Sequence, residues 1–142
     1  IRKKYFKEKA KKLRNVKFYD YQPIEVMQNM INNSDIGLVT LDREMYNYSY
    51  PSKIGTYLQQ GKPIICAIED NSEIVKQMNS LGYGFVVKDK YSVAKLLIKL
   101  TDNDQWKYKM KLNALKAYDN HFSSNMILKQ WSKTINDLSL IK

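Results

Sequence analysis

The chain has 142 residues, 44% of them hydrophobic and 12% aromatic, with a formal net charge of +10. Those values suit one globular domain and exclude a disordered or low-complexity chain. The single cysteine, Cys66, excludes an internal disulfide, and no apolar run reaches the ~20 residues a membrane helix needs.

Residues 1–17 carry nine Lys/Arg against one acid, Glu8, so this segment supplies +8 of the charge. A helix is expected over residues 3–14, ending at Asn15. Its cations suit either a solvated face or a patch turned toward anionic membrane lipid or phosphate. Opening on Ile1, in what reads as mid-helix, the chain is expected to be a piece of a longer protein. Val16-Lys17-Phe18-Tyr19 has the β-branched and aromatic character of a short strand. Pro23 suits the first turn of a helix that places Ile24, Met27, Met30 and Ile31 on one stripe.

Ile36–Leu41 is almost wholly apolar, the pattern of a strand covered on both faces. Residues 52–60 follow as a helix stopped by Gly61, and Pro63–Ile68 as a second apolar strand. Asp70-Asn71-Ser72, each a good capping residue, leads into a helix over residues 73–80. Gly82-Tyr83-Gly84 turns the chain into strand Phe85–Val87. Helices are expected over residues 92–101, 103–119 and 124–138, the last capped by Ser123 or Ser124.

Short apolar strands alternating with helices imply βαβ units and a parallel sheet of four or more strands with a helical C-terminal tail. The expected fold class is α/β, Rossmann-like, in a single domain over residues 1–142. Such sheets bind ligands at the carboxyl ends of their strands, which singles out the loops after Tyr19, Leu41, Ile68 and Val87.

The segment Asp42–Pro51 is longer than the usual strand-to-helix link of 2–6 residues, and long loops in compact domains are commonly functional. It leads into Ser52-Lys53 at a helix start, where free N–H groups favour an anion and the side chains add a hydroxyl and a positive charge. Ser52 reads equally as a helix cap. Tyr46, Tyr48 and Tyr50 suit either loop packing or the wall of a sugar pocket. Glu69 and Asp70 follow the second apolar strand, either as a helix start with a favourable dipole or as hydrogen-bond partners of sugar hydroxyls.

The motifs occur in the order of a known family. Asn15-Val16-Lys17-Phe18-Tyr19-Asp20-Tyr21-Gln22-Pro23 resembles an "N-V-x-F-x-G-x-x-P" strand and loop, and Ser34–Val39 an "A-D-x-G-L-V" strand. Tyr50–Ile65 resembles the run "P-S-K-(I/L)-x-E-Y-L-x-x-G-K-P-(I/V)-I". Ser72-Glu73-Ile74, Gly82-Tyr83-Gly84 and Asn120-His121-Phe122-Ser123 continue the series. Over about residues 15–139 the chain resembles the C-terminal, nucleotide-sugar-binding domain of family 4-type GT-B glycosyltransferases of bacterial capsule and exopolysaccharide assembly.

The resemblance implies that Tyr21 and Gln22 meet the nucleotide base. It implies that Ser52 and the N–H groups around Lys53, flanked by Pro51 and Ile54, hold the diphosphate. The donor would be a nucleoside-diphosphate sugar, UDP-linked by expectation, with Tyr48, Tyr50, Glu69 and Asp70 as candidate sugar contacts. The family's glutamate pair falls on Tyr48 and Thr56 here. Thr56 can offer a ribose one neutral hydrogen bond but no bidentate carboxylate, and charge-assisted bonds are roughly twice as strong. Asp20 stands where the family has glycine. No catalytic residue is expected within the chain, because any base belongs to a separate N-terminal acceptor domain.

His121, the only histidine, is read as structural, set apart from the strand ends. One His and one Cys leave no metal-ligand spacing, and neither metal nor cofactor is expected. The expected partners are the nucleotide sugar, the N-terminal domain and, peripherally, anionic membrane at the inner face of a cytoplasmic enzyme's cell. Nucleic acid is not expected, since no helix-turn-helix, zinc-knuckle or ribonucleoprotein pattern accompanies the basic segment. Two alternatives stand beside this reading: half of a non-hydrolysing nucleotide-sugar epimerase, for which acid/base residues are missing, and a basic membrane- or nucleic-acid-binding module.

Overall fold

The computed structural model describes residues 2–41, 45, 48–68 and 72–139, apart from the side chain of Arg2. The chain forms two compact units, Ile1–Met30 and Ile31–Lys142.

In the first unit, helix α1 spans Arg2–Ala10, four residues short of the expected end. Lys3, Lys7 and Lys11 sit at i,i+4 spacing, where like charges weaken a helix. The chain leaves α1 through a turn in which Leu13 N–H donates to the Ala10 carbonyl at 2.8 Å. Val16–Tyr19 is not a strand. Its β-forming side chains find no neighbouring strand in the described residues to complete a ladder. Its end is tied to α1 instead: the Lys3 ammonium donates to the Tyr19 carbonyl at 3.4 Å and to the Asp20 carboxylate. That bond from Lys3 holds the Asp20 carboxyl below its ordinary range. Helix α2, Ile24–Asn32, starts directly after Pro23 as its sequence implies, with Ile24, Met27 and Met30 exposed.

The second unit is α/β. Strands β1 (Gly37–Thr40), β2 (Ile64–Ala67) and β3 (Gly84–Val86) form a three-stranded parallel sheet in the order β1-β2-β3. Gly37 pairs with Ile64 and Ile64 with Gly84. Among the described residues the sheet thus has fewer strands than the four or more expected, Val16–Tyr19 being absent from it. Helices α3 (Lys53–Gln59), α4 (Glu73–Leu81), α5 (Lys90–Thr101), α6 (Asp104–Ala117) and α7 (Ser124–Ser139) complete the unit, with a π-helical turn at Tyr118–Phe122 between the last two.

The central strand is buried on both faces: Ile64, Ile65 and Cys66 are at most 2% exposed. Burial also pushes the Cys66 thiol up to about 11. β1 differs from the expectation of a strand covered on both sides. Gly37 and Val39 face the core, whereas Leu38 is 51% exposed. One face of the sheet therefore organises the core, in which Val39, Ile64 and Cys66 meet Ile54 and Leu58 of α3, Ile74 and Met78 of α4, Tyr83, and Ala114 of α6. Gly37 lets α3 approach, because a Cβ there would lie 2.5 Å from the Tyr57 ring.

Helix ends follow local signals, Gly61 and the caps before α4 and α7 as the sequence suggested and the others without having been singled out. Gly61 adopts φ 63° after α3. Ser72, buried, accepts from Val75 N–H at 3.2 Å to cap α4, and Gly82 ends that helix at φ 65°. Asp89 caps α5 two residues earlier than expected by accepting from Ser92 N–H at 2.7 Å. Asn103 caps α6 through Trp106 N–H at 2.9 Å. Ser123 accepts from Met126 N–H at 3.4 Å at the start of α7.

Candidate functional site

The carboxyl end of β1 opens into a cleft of about 260 Å³ lined by Val39, Thr40, Leu41, Ser49, Tyr50, Pro51, Ser52 and Lys53. The cleft therefore lies where a parallel sheet ordinarily receives its ligand. Its volume is below the ~300–1,000 Å³ of ordinary ligand pockets.

Ser52 is not a cap. Its backbone is helical (φ −57°, ψ −25°) and its side chain makes no capping bond. The structural competitor for that hydroxyl is thereby removed, and Ser52 and Lys53 are both exposed beside the cleft. Helix α3 has only seven residues, so its dipole is a minor attraction beside the Lys53 charge. Ile54 contributes no free group: its side chain is fully buried in the core and its N–H donates to the Pro51 carbonyl at 3.0 Å. The Thr56 hydroxyl donates back to the Ser52 carbonyl at 3.3 Å, leaving its oxygen lone pairs for a ligand.

The tyrosines separate in behaviour. Tyr48 is 85% exposed. Tyr50 is engaged: its hydroxyl donates to Gln77 Oε1 at 2.5 Å, and its ring lies 6.0 Å from that of Phe122. The fully buried Tyr83 donates to the same Gln77 oxygen at 3.2 Å. Burial raises the pKa of both phenols. Tyr83 and Phe122 stand within motifs of the sequence, but nothing there joined them or Gln77 to the cleft, since Gln77 is 27 residues from Tyr50 and Phe122 farther still. The π turn that holds Phe122 thus reaches the cleft's lip, contrary to the expectation that this region stands apart from the strand ends. His121, on the same turn, is exposed.

Tyr21 is 98% exposed, and Gln22 donates from Nε2 to the Asp20 carbonyl at 3.2 Å. Both belong to the first unit, on a segment that is not the expected strand end. Glu69, Asp70 and Tyr46 lie outside the described residues.

A larger cavity, about 580 Å³, lies at the opposite end of the sheet. It is lined by Ser34, Asp35, Ile36, Pro63, Leu97, Leu100, Thr101 and Lys107. The polar groups there are partly committed: Lys107 pairs with Asp104 at 2.5 Å, and the Ser34 hydroxyl donates to the Ile31 carbonyl at 2.7 Å. Size favours this cavity, but its lining lacks the uncapped hydroxyl and exposed cation found together at Ser52 and Lys53. The smaller cleft has the chemistry.

Among the described residues no group of three or more His, Cys, Asp and Glu could hold a metal ion, and no helix is long and apolar enough to cross a membrane. No family model, curated protein or solved structure matches the chain.

Proposed function

We propose that the chain is the nucleotide-sugar-binding half of a GT-B glycosyltransferase. The observation that carries this reading is the cleft at the carboxyl end of β1, where Ser52 presents an uncapped hydroxyl next to the exposed Lys53. The ordered resemblance of Tyr50–Ile65 to the family's donor-site run supports the same assignment.

In this reading the diphosphate of a UDP-linked sugar sits at Ser52 and Lys53, and the nucleoside extends beyond the cleft. During transfer the bond from the anomeric carbon to the diphosphate oxygen breaks as the acceptor hydroxyl oxygen bonds to that carbon. Lys53 stabilises the charge that develops on the leaving diphosphate, the point at which fixed positive groups lower a barrier most effectively. A base from an N-terminal acceptor domain takes the acceptor proton, so this chain by itself has no transferase activity. The work is cytoplasmic, and the +8 segment of residues 1–17 draws the enzyme toward anionic membrane.

Calorimetric titration with UDP, GDP and CMP at moderate salt tests the reading. One nucleotide binds, and Ser52→Ala and Lys53→Ala each weaken it, Lys53→Ala by more because its bond is charge-assisted. Absence of binding at millimolar nucleotide, or binding indifferent to both substitutions, removes the assignment.

A further inference from the structure

Tyr50 stands at the lip of the cleft, immediately before Pro51, Ser52 and Lys53, and its side chain is held at both ends. The hydroxyl donates to Gln77 Oε1 on α4 at 2.5 Å, while the ring lies 6.0 Å from Phe122 on the π turn. Gln77 is itself held, because Tyr83, fully buried at the start of β3, donates to the same oxygen at 3.2 Å. The two phenols thus share one amide acceptor. The acceptor's position is set by a core residue and in turn sets the position of the lip.

The far side of the lip is seated by the same turn. A Cβ on Gly55 of α3 would meet Phe122 at 3.8 Å, an ordinary van der Waals distance. Phe122 is accordingly packed against both the segment before Ser52 and the helix after Lys53. Between these two supports, Ile54 N–H donates to the Pro51 carbonyl at 3.0 Å. Residues 51–54 therefore form a short hydrogen-bonded turn between the two supports, beginning directly after Tyr50.

We propose that Tyr50 is a positioning residue, which acts through Gln77 and Phe122 to orient Ser52 and Lys53 toward the diphosphate without touching it. The inference rests on the donor-site reading above. It differs from a sugar-stacking role for the Tyr50 ring in a way that can be measured. Stacking needs the ring alone and a ligand with a sugar; positioning needs the hydroxyl and acts on any ligand of Ser52 and Lys53.

The probe is inorganic pyrophosphate, which offers nothing to stack on, titrated calorimetrically into the whole chain well below its melting temperature alongside UDP. Tyr50→Phe keeps the ring and loses the bond to Gln77. It is expected to weaken pyrophosphate and UDP alike, by roughly three- to tenfold, the net worth of one hydrogen bond. Gln77→Leu should weaken both by the same factor, and the double variant should be no worse than either single one, since all three remove one link. Tyr91→Phe, exposed on α5, serves as the neutral control. Gln77→Leu also removes the amide acceptor of the buried Tyr83 hydroxyl, so if it fails to fold, Tyr50→Phe carries the test. A purely structural tyrosine would lower the melting temperature of Tyr50→Phe and leave the affinity of the folded protein unchanged. That result overturns the inference while the donor-site reading stands. If the unmodified chain binds neither pyrophosphate nor UDP, both fall together.

Discussion

Replacing Gly37 with alanine tests how α3, and with it the cleft, is seated on the sheet. A Cβ at residue 37 would lie 2.5 Å from Tyr57 Cδ2, 2.6 Å from Cγ and 2.9 Å from Cε2. Because Cγ is among the clashing atoms, turning the ring about its own axis gives no relief; the whole side chain must leave its rotamer or α3 must lift. The strand cannot retreat either, since Gly37 N–H donates to the Pro63 carbonyl at 2.8 Å. Overpacking of this kind costs about 1–3 kcal/mol. At about 3–4 °C per kcal/mol for a domain of this size, the melting temperature falls by roughly 3–12 °C. Urea unfolding followed by far-ultraviolet circular dichroism should show a lower midpoint with an unchanged slope. Combined with Tyr57→Leu, the alanine should cost much less, because its obstacle is gone. Gly55→Ala gives the opposite sign: its nearest obstacle, Phe122 Cδ1, is 3.8 Å away, and alanine in a helix interior gains about 0.5–1 kcal/mol over glycine. A neutral Gly37→Ala, or strictly additive effects with Tyr57→Leu, would refute the seating described.

Two further outcomes are expected. Thr56→Glu supplies the carboxylate found at this place in the resembled family, and UDP affinity should rise by up to roughly tenfold as a neutral ribose contact becomes charge-assisted; an unchanged or lower affinity would show that residue 56 does not face the ribose. The Ser92 backbone N–H holds the Asp89 carboxyl below its ordinary range, so the contribution of this charge to stability is complete above the unfolded carboxylate value and is lost as pH falls through the lower, folded one. Asn also caps helices but does not titrate, so the unmodified chain should lose stability relative to Asp89→Asn only below about pH 4, and parallel acid-unfolding curves would contradict this.

Much of the second unit was legible because its signals are local. Ile64, Ile65 and Cys66 form an unbroken apolar run, and a strand buried on both faces permits nothing else. Gly61, Ser72 and Gly82 mark helix ends through backbone geometry that depends on immediate neighbours. Val16–Tyr19 misled because β propensity describes a willingness to pair, and pairing requires a second strand. The apolar run through β1 misled more mildly: its composition does not say that Leu38 stays exposed while Gly37 and Val39 are covered.

The cleft divides along the same line. That the chain around Ser52 borders a cleft at the carboxyl end of β1 could be anticipated from its position after that strand and its Pro-Ser-Lys ending. The role of Ser52 could not, because a serine before a helix is a cap or a free hydroxyl according to one backbone angle, and here its ψ of −25° places it inside the helix. Capping favours an extended backbone, as at Ser72 with ψ 152°, so of these two serines before helices only Ser72 caps. Local bonds accompany that helical state, Thr56 N–H donating to the Ser52 carbonyl at 3.3 Å, but the neighbours on either side are fixed by distant residues. Pro51 follows a tyrosine fixed to Gln77, and α3 behind it packs against Phe122. The lip of the cleft is thus bounded by contacts from α4 and the π turn, brought together by tertiary packing that no single motif specifies.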